Sequence, residues 1–179
     1  MAYFPAFLDL SGKPVLIVGD TDHAAQKAQR LTPFGADIRF LPTLRPEDLD
    51  PIPALVILTG ENRAADAALC RERNIPVNSV DDPENCTFIF PSLICRGNCT
   101  IGISTAGTAP AAGVVLRRRL EETLPERLEE ILPWLGEITA QLRKRIPDYD
   151  RRAAVLAAIS AEAFQKNRPL TGDELESFM

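Results

Sequence analysis

Val15-Leu16-Ile17-Val18 is an unbroken apolar run that ends in Gly19. A strand with one wet face alternates apolar and polar residues, so a continuous run requires apolar cover on both faces, the condition of a strand inside a parallel sheet. Residues 22–34 then carry Ala24, Ala25, Ala28, Leu31 and Phe34 near the helical period, and Gly35 stops them. Strand, glycine turn and helix therefore open the chain. Parallel neighbours need a long connection that returns over one face of the sheet, with right-handed crossovers.

Further strands are predicted at Asp37 to Leu41, Ala54 to Thr59 and Ile75 to Val80, with a second helix from Asn62 to Arg73. The connection from Pro42 to Pro53 holds four prolines and little apolar periodicity, so no helix is read across it and one crossover is abbreviated. After Asp81-Asp82-Pro83, a turn signal, the runs Thr87 to Ile94 and Cys99 to Ser104 read as a hairpin linked by Arg96-Gly97-Asn98, with which the sheet ends. From Pro110 the period is helical, over Ala111 to Glu122, Pro125 to Ile146, Asp150 to Gln165 and Gly172 to Met179. Pro133 lies inside the second of these and should kink or split it. The apolar stripe Leu128, Ile131, Leu132, Leu135, Ile138 and Leu142 has two readings, cover by a partner subunit or packing on the following helix.

The fold expected is α/β, a Rossmann-type parallel sheet followed by a β-hairpin and a C-terminal helical region, divided at residues 1–106 and 107–179. With 179 residues the chain has room for one domain and a helical appendage. A net charge of −5 argues against broad binding to the phosphate backbone of nucleic acid. No apolar stretch reaches the length of a membrane span, and the start MAYFPAFLDL lacks a basic segment before a long apolar run, so a cytoplasmic, membrane-free protein is expected. Cys70, Cys86, Cys95 and Cys99 form no CxxC pair and have no histidine nearby; they read as buried thiols, with no metal site.

A dinucleotide-binding turn needs one glycine for the turn, a second for close approach of pyrophosphate and a small third residue for helix packing. Here the six residues are Gly19-Asp20-Thr21-Asp22-His23-Ala24. The outer positions comply, while Thr21 brings a Cβ where bare backbone is wanted, and Asp20 and Asp22 add negative charge. Asp22 also reads as a simple helix cap, and His23, the one histidine, as a helix-surface residue.

Several phrases, in order, carry a resemblance: Phe4-Pro5-Ala6-Phe7-Leu8-Asp9-Leu10, the strand to Gly19, the helix with Ala24, Lys27 and Ala28, then Ile75-Pro76-Val77-Asn78-Ser79-Val80-Asp81, Phe88-Ile89-Phe90-Pro91-Ser92, and Ile103-Ser104-Thr105-Ala106-Gly107-Thr108-Ala109-Pro110. Together they resemble the dehydrogenase and chelatase module of siroheme synthase, also found as stand-alone precorrin-2 dehydrogenase. That resemblance implies a homodimer with an N-terminal NAD-binding Rossmann domain and C-terminal helices that build the dimer and the tetrapyrrole cleft. It implies oxidation of precorrin-2 to sirohydrochlorin with NAD, and in many members insertion of ferrous iron as a second substrate.

The family's key carboxylate falls on Asp81, which lies just past a strand where it can take a proton as hydride leaves. Asp81 or Asp82 can equally serve only to begin the turn before Pro83. Cofactor contacts by resemblance are Gly19, Asp20, Thr21, Asp22, His23, Thr43 and Leu44. For a substrate carboxylate, Ser104, Thr105, Gly107 and Thr108 offer hydroxyls and backbone N–H groups, and Arg117, ahead of Arg118 and Arg119, offers a bidentate partner. The bland alternative makes Thr108 an ordinary N-cap. Two departures fall on the cofactor side: Gly19-Asp20-Thr21 stands where the family usually has three glycines, and a strand and helix are shortened between Thr43 and Ala54. A family member that binds or chelates tetrapyrrole after losing NAD is the alternative they leave open.

Overall fold

The computed structural model describes residues 3–19 and 22–178. They form two compact units, residues 1–90 and 91–179, each with its own core. The division thus falls ahead of the hairpin, where the sequence reading set it at residue 106.

In the first unit β1 (Pro14–Val18), β2 (Asp37–Leu41), β3 (Leu55–Leu58) and β4 (Val77–Ser79) make a wholly parallel sheet in the order β2-β1-β3-β4. Helix α1 (Asp22–Leu31) joins β1 to β2 and α2 (Arg63–Glu72) joins β3 to β4. The unbroken apolar runs now have their explanation, because alternate residues of one strand enter opposite cores. Val15 and Ile17 of β1, with Leu55 and Ile57 of β3, pack against Ala24 and Leu31 of α1. Leu16 and Val18, with Val56 and Leu58, pack against Ala67 and Cys70 of α2. β2 is an edge strand with exposed Asp37 and Arg39, paired at 2.9 Å, the kind of charge that discourages edge-to-edge association.

The abbreviated crossover from β2 to β3 contains one short 3-10 turn, Pro46–Leu49, and no α-helix. Leu49 anchors it, fully buried in the α2-side core. Truncating it to alanine should cost about 2–5 kcal/mol, the usual range for a core leucine.

In the second unit β5 (Ser92–Arg96) and β6 (Cys99–Ile103) form a separate two-stranded antiparallel sheet, so the hairpin does not end the parallel sheet as the sequence suggested. β5 also begins later than Thr87. Thr87 and Phe88 are engaged by the backbone of β4 instead, through their N–H groups to the Val77 carbonyl and Val77 N–H to Thr87 Oγ1 at 2.8 Å. Four helices follow: α3 (Pro110–Thr123), α4 (Leu128–Arg145), α5 (Tyr149–Lys166) and α6 (Gly172–Glu176).

α4 runs unsplit through Pro133. The proline lies early in the helix, where its missing N–H forfeits a single bond, to the carbonyl of Glu129 in the first turn. The apolar stripe finds its cover on the following helix: Ile131, Ile138 and Leu142 are buried with Ile159 and Ala163 of α5. α3 carries a run of exposed apolar residues, Val114, Val115, Leu116 and Leu120, each more than two-fifths exposed. Among the described residues no helix is long and apolar enough to cross a membrane.

Candidate active site

Because α1 and α2 leave β1 and β3 toward opposite faces of the sheet, the carboxyl ends of these strands form its switch point, the place where open parallel sheets bind ligands in a crevice. Its floor is backbone. The Val18 carbonyl accepts Thr59 N–H at 2.8 Å, Gly60 N–H at 3.2 Å and Thr59 Oγ1 at 3.0 Å, while Gly19 N–H donates to Leu41 O at 2.8 Å. Gly19 has φ +105°, and a Cβ there would lie 2.5 Å from Gly60 N. The glycine is therefore demanded by the close approach of the two strand ends. The third motif position, Ala24, is buried where α1 meets the sheet.

Asp20 and Thr21 lie outside the described residues. Asp22 is the first residue of α1 and exposed, favourably placed toward the helix dipole, and His23 beside it is exposed on the helix surface. Thr43 is exposed, and Leu44 packs partly into the α2-side core.

At the end of β4 the two aspartates separate into different roles. Asp82 organises the loop: its Oδ2 accepts from Ser79 Oγ at 3.1 Å and Asn85 Nδ2 at 2.8 Å, just before the 3-10 turn Pro83–Asn85. Cys86 closes the same loop. Its sulfur accepts from Ser79 N–H at 3.2 Å and lies within donating reach of the Ser79 carbonyl, and burial raises its thiol pKa. Asp81 by contrast is exposed, has no hydrogen-bond partner among the described residues, and takes a left-handed backbone with φ 58°. That conformation is uncommon outside glycine and tolerated best by Asn and Asp, and its recurrence at functional sites is well established. The turn is thus begun by Asp82, and the Asp81 carboxylate stays available at the carboxyl edge of the sheet.

Sequence reasoning passed over three neighbours. Asn78, buried at 6% exposure, donates Nδ2 to the Phe88 carbonyl at 3.1 Å and leaves Oδ1 without a partner among the described residues. Lys27 of α1 holds its ammonium 4.3 Å from the centroid of the Phe90 ring, and Arg30 stacks on the same ring at 5.4 Å. Burial, and then Arg30, lower the Lys27 pKa, while Cys86 and Asp81 pull it back up. A lysine on an otherwise ordinary amphipathic helix gives no periodicity signal; only the fold brings it to the Asp81 side.

In the second unit, residues 105–108 form a tight turn with Ala106 at φ 52° and Gly107 at φ 80°, closed by Thr108 N–H to Thr105 O at 3.0 Å. Ser104 Oγ accepts from Ala106 N–H at 3.0 Å, and Thr108 Oγ1 donates back to Thr105 O at 2.7 Å. Thr108 is therefore not the cap of α3. The N-cap is Ala109, with no side-chain bond, because Pro110 takes the first helical position and shifts the start by one residue. Amides of Ala111 and Ala112 remain in an uncapped first turn. Arg117 is held by Glu121 at 2.5 Å, one turn along, while Arg118 and Arg119 are exposed.

The reading of buried thiols needs correction: only Cys70 is buried, Cys86 and Cys99 are half-buried and Cys95 is exposed. A two-stranded hairpin leaves part of its surface wet. Cys95 pairs in register with Thr100 and Cys99 with Arg96, so the two thiols lie on opposite faces. Among the described residues no cluster suited to a metal ion occurs.

Comparison with known proteins agrees with this architecture. Residues 42–92 match a family profile described as "Putative NAD(P)-binding". Siroheme synthase of Photobacterium profundum is 32% identical over 176 residues, covering 85% of this chain and 37% of that protein. Siroheme synthase 1 of Yersinia enterocolitica is 32% identical over 175 residues, with the same coverage of both chains. Siroheme synthase of Sodalis glossinidius is 35% identical over 170 residues, covering 82% and 36%. The chain thus spans a little over a third of the length of these relatives. The solved structure of SirC, a precorrin-2 dehydrogenase, superposes with TM-score 0.72 at 18% identity, over 98% of this chain and 96% of that one, a likeness of fold. By sequence identity the chain is homologous to siroheme synthase over a little over a third of that protein's length, and it shares the fold of the SirC structure.

Proposed function

We propose that this chain oxidises precorrin-2 to sirohydrochlorin with NAD, and that Asp81 is its acid/base. The observation that carries the reading is the division of labour after β4: Asp82 and Cys86 fix the loop, so Asp81 is held at the ligand-binding edge with a free carboxylate. The reaction removes two electrons and two protons from the macrocycle. NAD, when bound, supplies the hydride acceptor, and the second proton leaves through Asp81. Gly19, Asp22, His23, Thr43 and Leu44 of the first unit, together with Asp20 and Thr21, would hold the cofactor. Gly19 and Gly60 present bare backbone at the ends of β1 and β3, which fits the close approach of a dinucleotide's pyrophosphate.

The uncapped start of α3, with Ser104, Thr105, Gly107 and Thr108, suits a substrate carboxylate, and Arg117 can join it by exchanging Glu121 for the ligand. The exposed apolar side chains of α3 supply surface for a homodimer. Ferrous iron enters this reading as a second substrate, with Asp81 taking the pyrrole protons it displaces. The protein works in the cytoplasm without membrane attachment.

The test is anaerobic incubation of precorrin-2 with NAD. NADH absorbance should rise with the wild-type chain and not with Asp81→Asn. Turnover persisting in that variant would remove Asp81 from the chemistry. Calorimetry that detects no binding of NAD would remove the redox assignment.

A further inference from the structure

Lys27 has no role in the chemistry described so far, yet the fold delivers it to the Asp81 side of the sheet. Its Cα lies five residues into α1, about 7.5 Å along the axis from Asp22 at the usual helical rise. Helical side chains lean toward the N-terminus, so the long aliphatic stem leads back to the carboxyl edge of the sheet. There the ammonium rests 4.3 Å above the Phe90 ring, which is itself steadied by Phe88 at 5.6 Å. Among the described residues no carboxylate is in ion-pair contact with it. An aromatic face is a weaker partner for an ammonium than a carboxylate is. Half-buried against a ring, with Asp81 near it only as a charge, the cation has no ion-pair partner among the described residues and is open to an anionic ligand.

We infer that Lys27 binds a peripheral carboxylate of the tetrapyrrole and thereby sets the register of the macrocycle against Asp81, a specificity role that rests on the function proposed above. A phosphate of the cofactor is the poorer match. Its seat is the backbone at the start of α1. The Lys27 head group instead faces Phe90, on the side where Asp81 acts on it electrostatically. Arg30, stacked on the same ring, adds positive charge that favours an anionic ligand.

The experiment is steady-state kinetics of K27Q and K27R with precorrin-2 and NAD, together with titration by sirohydrochlorin. K27Q should raise KM for precorrin-2 and Kd for sirohydrochlorin about tenfold, the size of one charge-assisted hydrogen bond, with the KM for NAD within about twofold of wild type. K27R should recover most of the loss, and the KM of K27Q should respond less to added salt. Unchanged KM and Kd in K27Q would overturn the inference. So would a shift confined to NAD, or equal losses in K27Q and K27R that track a lowered Tm. If wild type oxidises precorrin-2 and K27Q behaves identically, only the Lys27 assignment falls. A wild-type chain that neither binds nor oxidises tetrapyrrole removes the proposed function and this inference together.

Discussion

Gly19→Ala and Gly60→Ala alter two glycines that face each other across the floor of the crevice, and the structure predicts opposite outcomes. At Gly19 the backbone has φ +105°, so any side chain carries a conformational penalty of about 1–3 kcal/mol. Its Cβ would also lie 2.5 Å from Gly60 N and 2.7 Å from Thr59 Oγ1. Relieving that clash means parting the ends of β1 and β3, and with them the bonds from Gly60 N–H and Thr59 Oγ1 to Val18 O, each worth about 0.5–1.5 kcal/mol. The total, about 2–6 kcal/mol, is a large part of the 5–15 kcal/mol typical of a folded domain. At Gly60 the nearest atom to an added Cβ is Gly19 Cα at 3.5 Å, an ordinary contact, so the cost should stay below about 1 kcal/mol. Urea unfolding followed by circular dichroism measures both. Trp134 sits in the other unit and is a poor reporter for this sheet. Hydrogen exchange at the Thr59 and Gly60 amides should accelerate in Gly19→Ala alone. Equal stability losses in the two variants, or none in Gly19→Ala, would refute the claim that this glycine is required by the sheet as well as by any cofactor.

Asp82→Ala should destabilise the loop after β4 by about 1–3 kcal/mol through its lost bonds to Ser79 and Asn85, whereas Asp81→Asn, a residue type that tolerates φ 58°, should leave the urea midpoint essentially unchanged. Thiol titration at pH 8 should label Cys95 first and Cys70 only on unfolding, because burial, aided by Asp66, pushes the Cys70 thiol up to about 11. Glu174 is held well below the usual carboxylate range by Arg168, Lys166 and the Thr171 N–H. A carboxyl depressed in the folded state stabilises above its ordinary pKa and loses that contribution as pH falls through the folded value. The Tm advantage of wild type over Glu174→Gln should therefore shrink steadily below about pH 4.5.

The parallel sheet was legible because its signal is local: a strand buried on both faces must be apolar at every position, and β1 and β3 are. The hairpin strands were legible in kind but not in extent. Thr87 and Phe88 have strand-like side chains, and nothing local reveals that their amides are taken by Val77. The α4 stripe left two readings open, since sequence gives a face and not its partner; α5 supplies it. Thr108 looked like a cap from residue type alone, but Pro110 fixes the first helical position and leaves that role to Ala109. Asp81 was read as a site residue through its place after a strand and through family likeness, and the structure leaves it exposed there. Lys27 was missed as a site residue, because its significance depends on where a long side chain ends and not on where it begins.

The short β2–β3 connection and the Asp81 loop are linked by one structural fact. A connection without an α-helix gives a sheet face little cover, yet here Leu49, carried on a single 3-10 turn, is fully buried in the core that Val56, Leu58 and Val77 of that face form. The order β2-β1-β3-β4 is kept, and with it the crevice between β1 and β3, whose existence depends only on α1 and α2 leaving toward opposite faces. The short connection therefore leaves the order of the strands intact. It need not move β4, whose backbone is fixed independently by β3 and by the Thr87 fold-back, and β4 is the element that carries Asp81 to the edge.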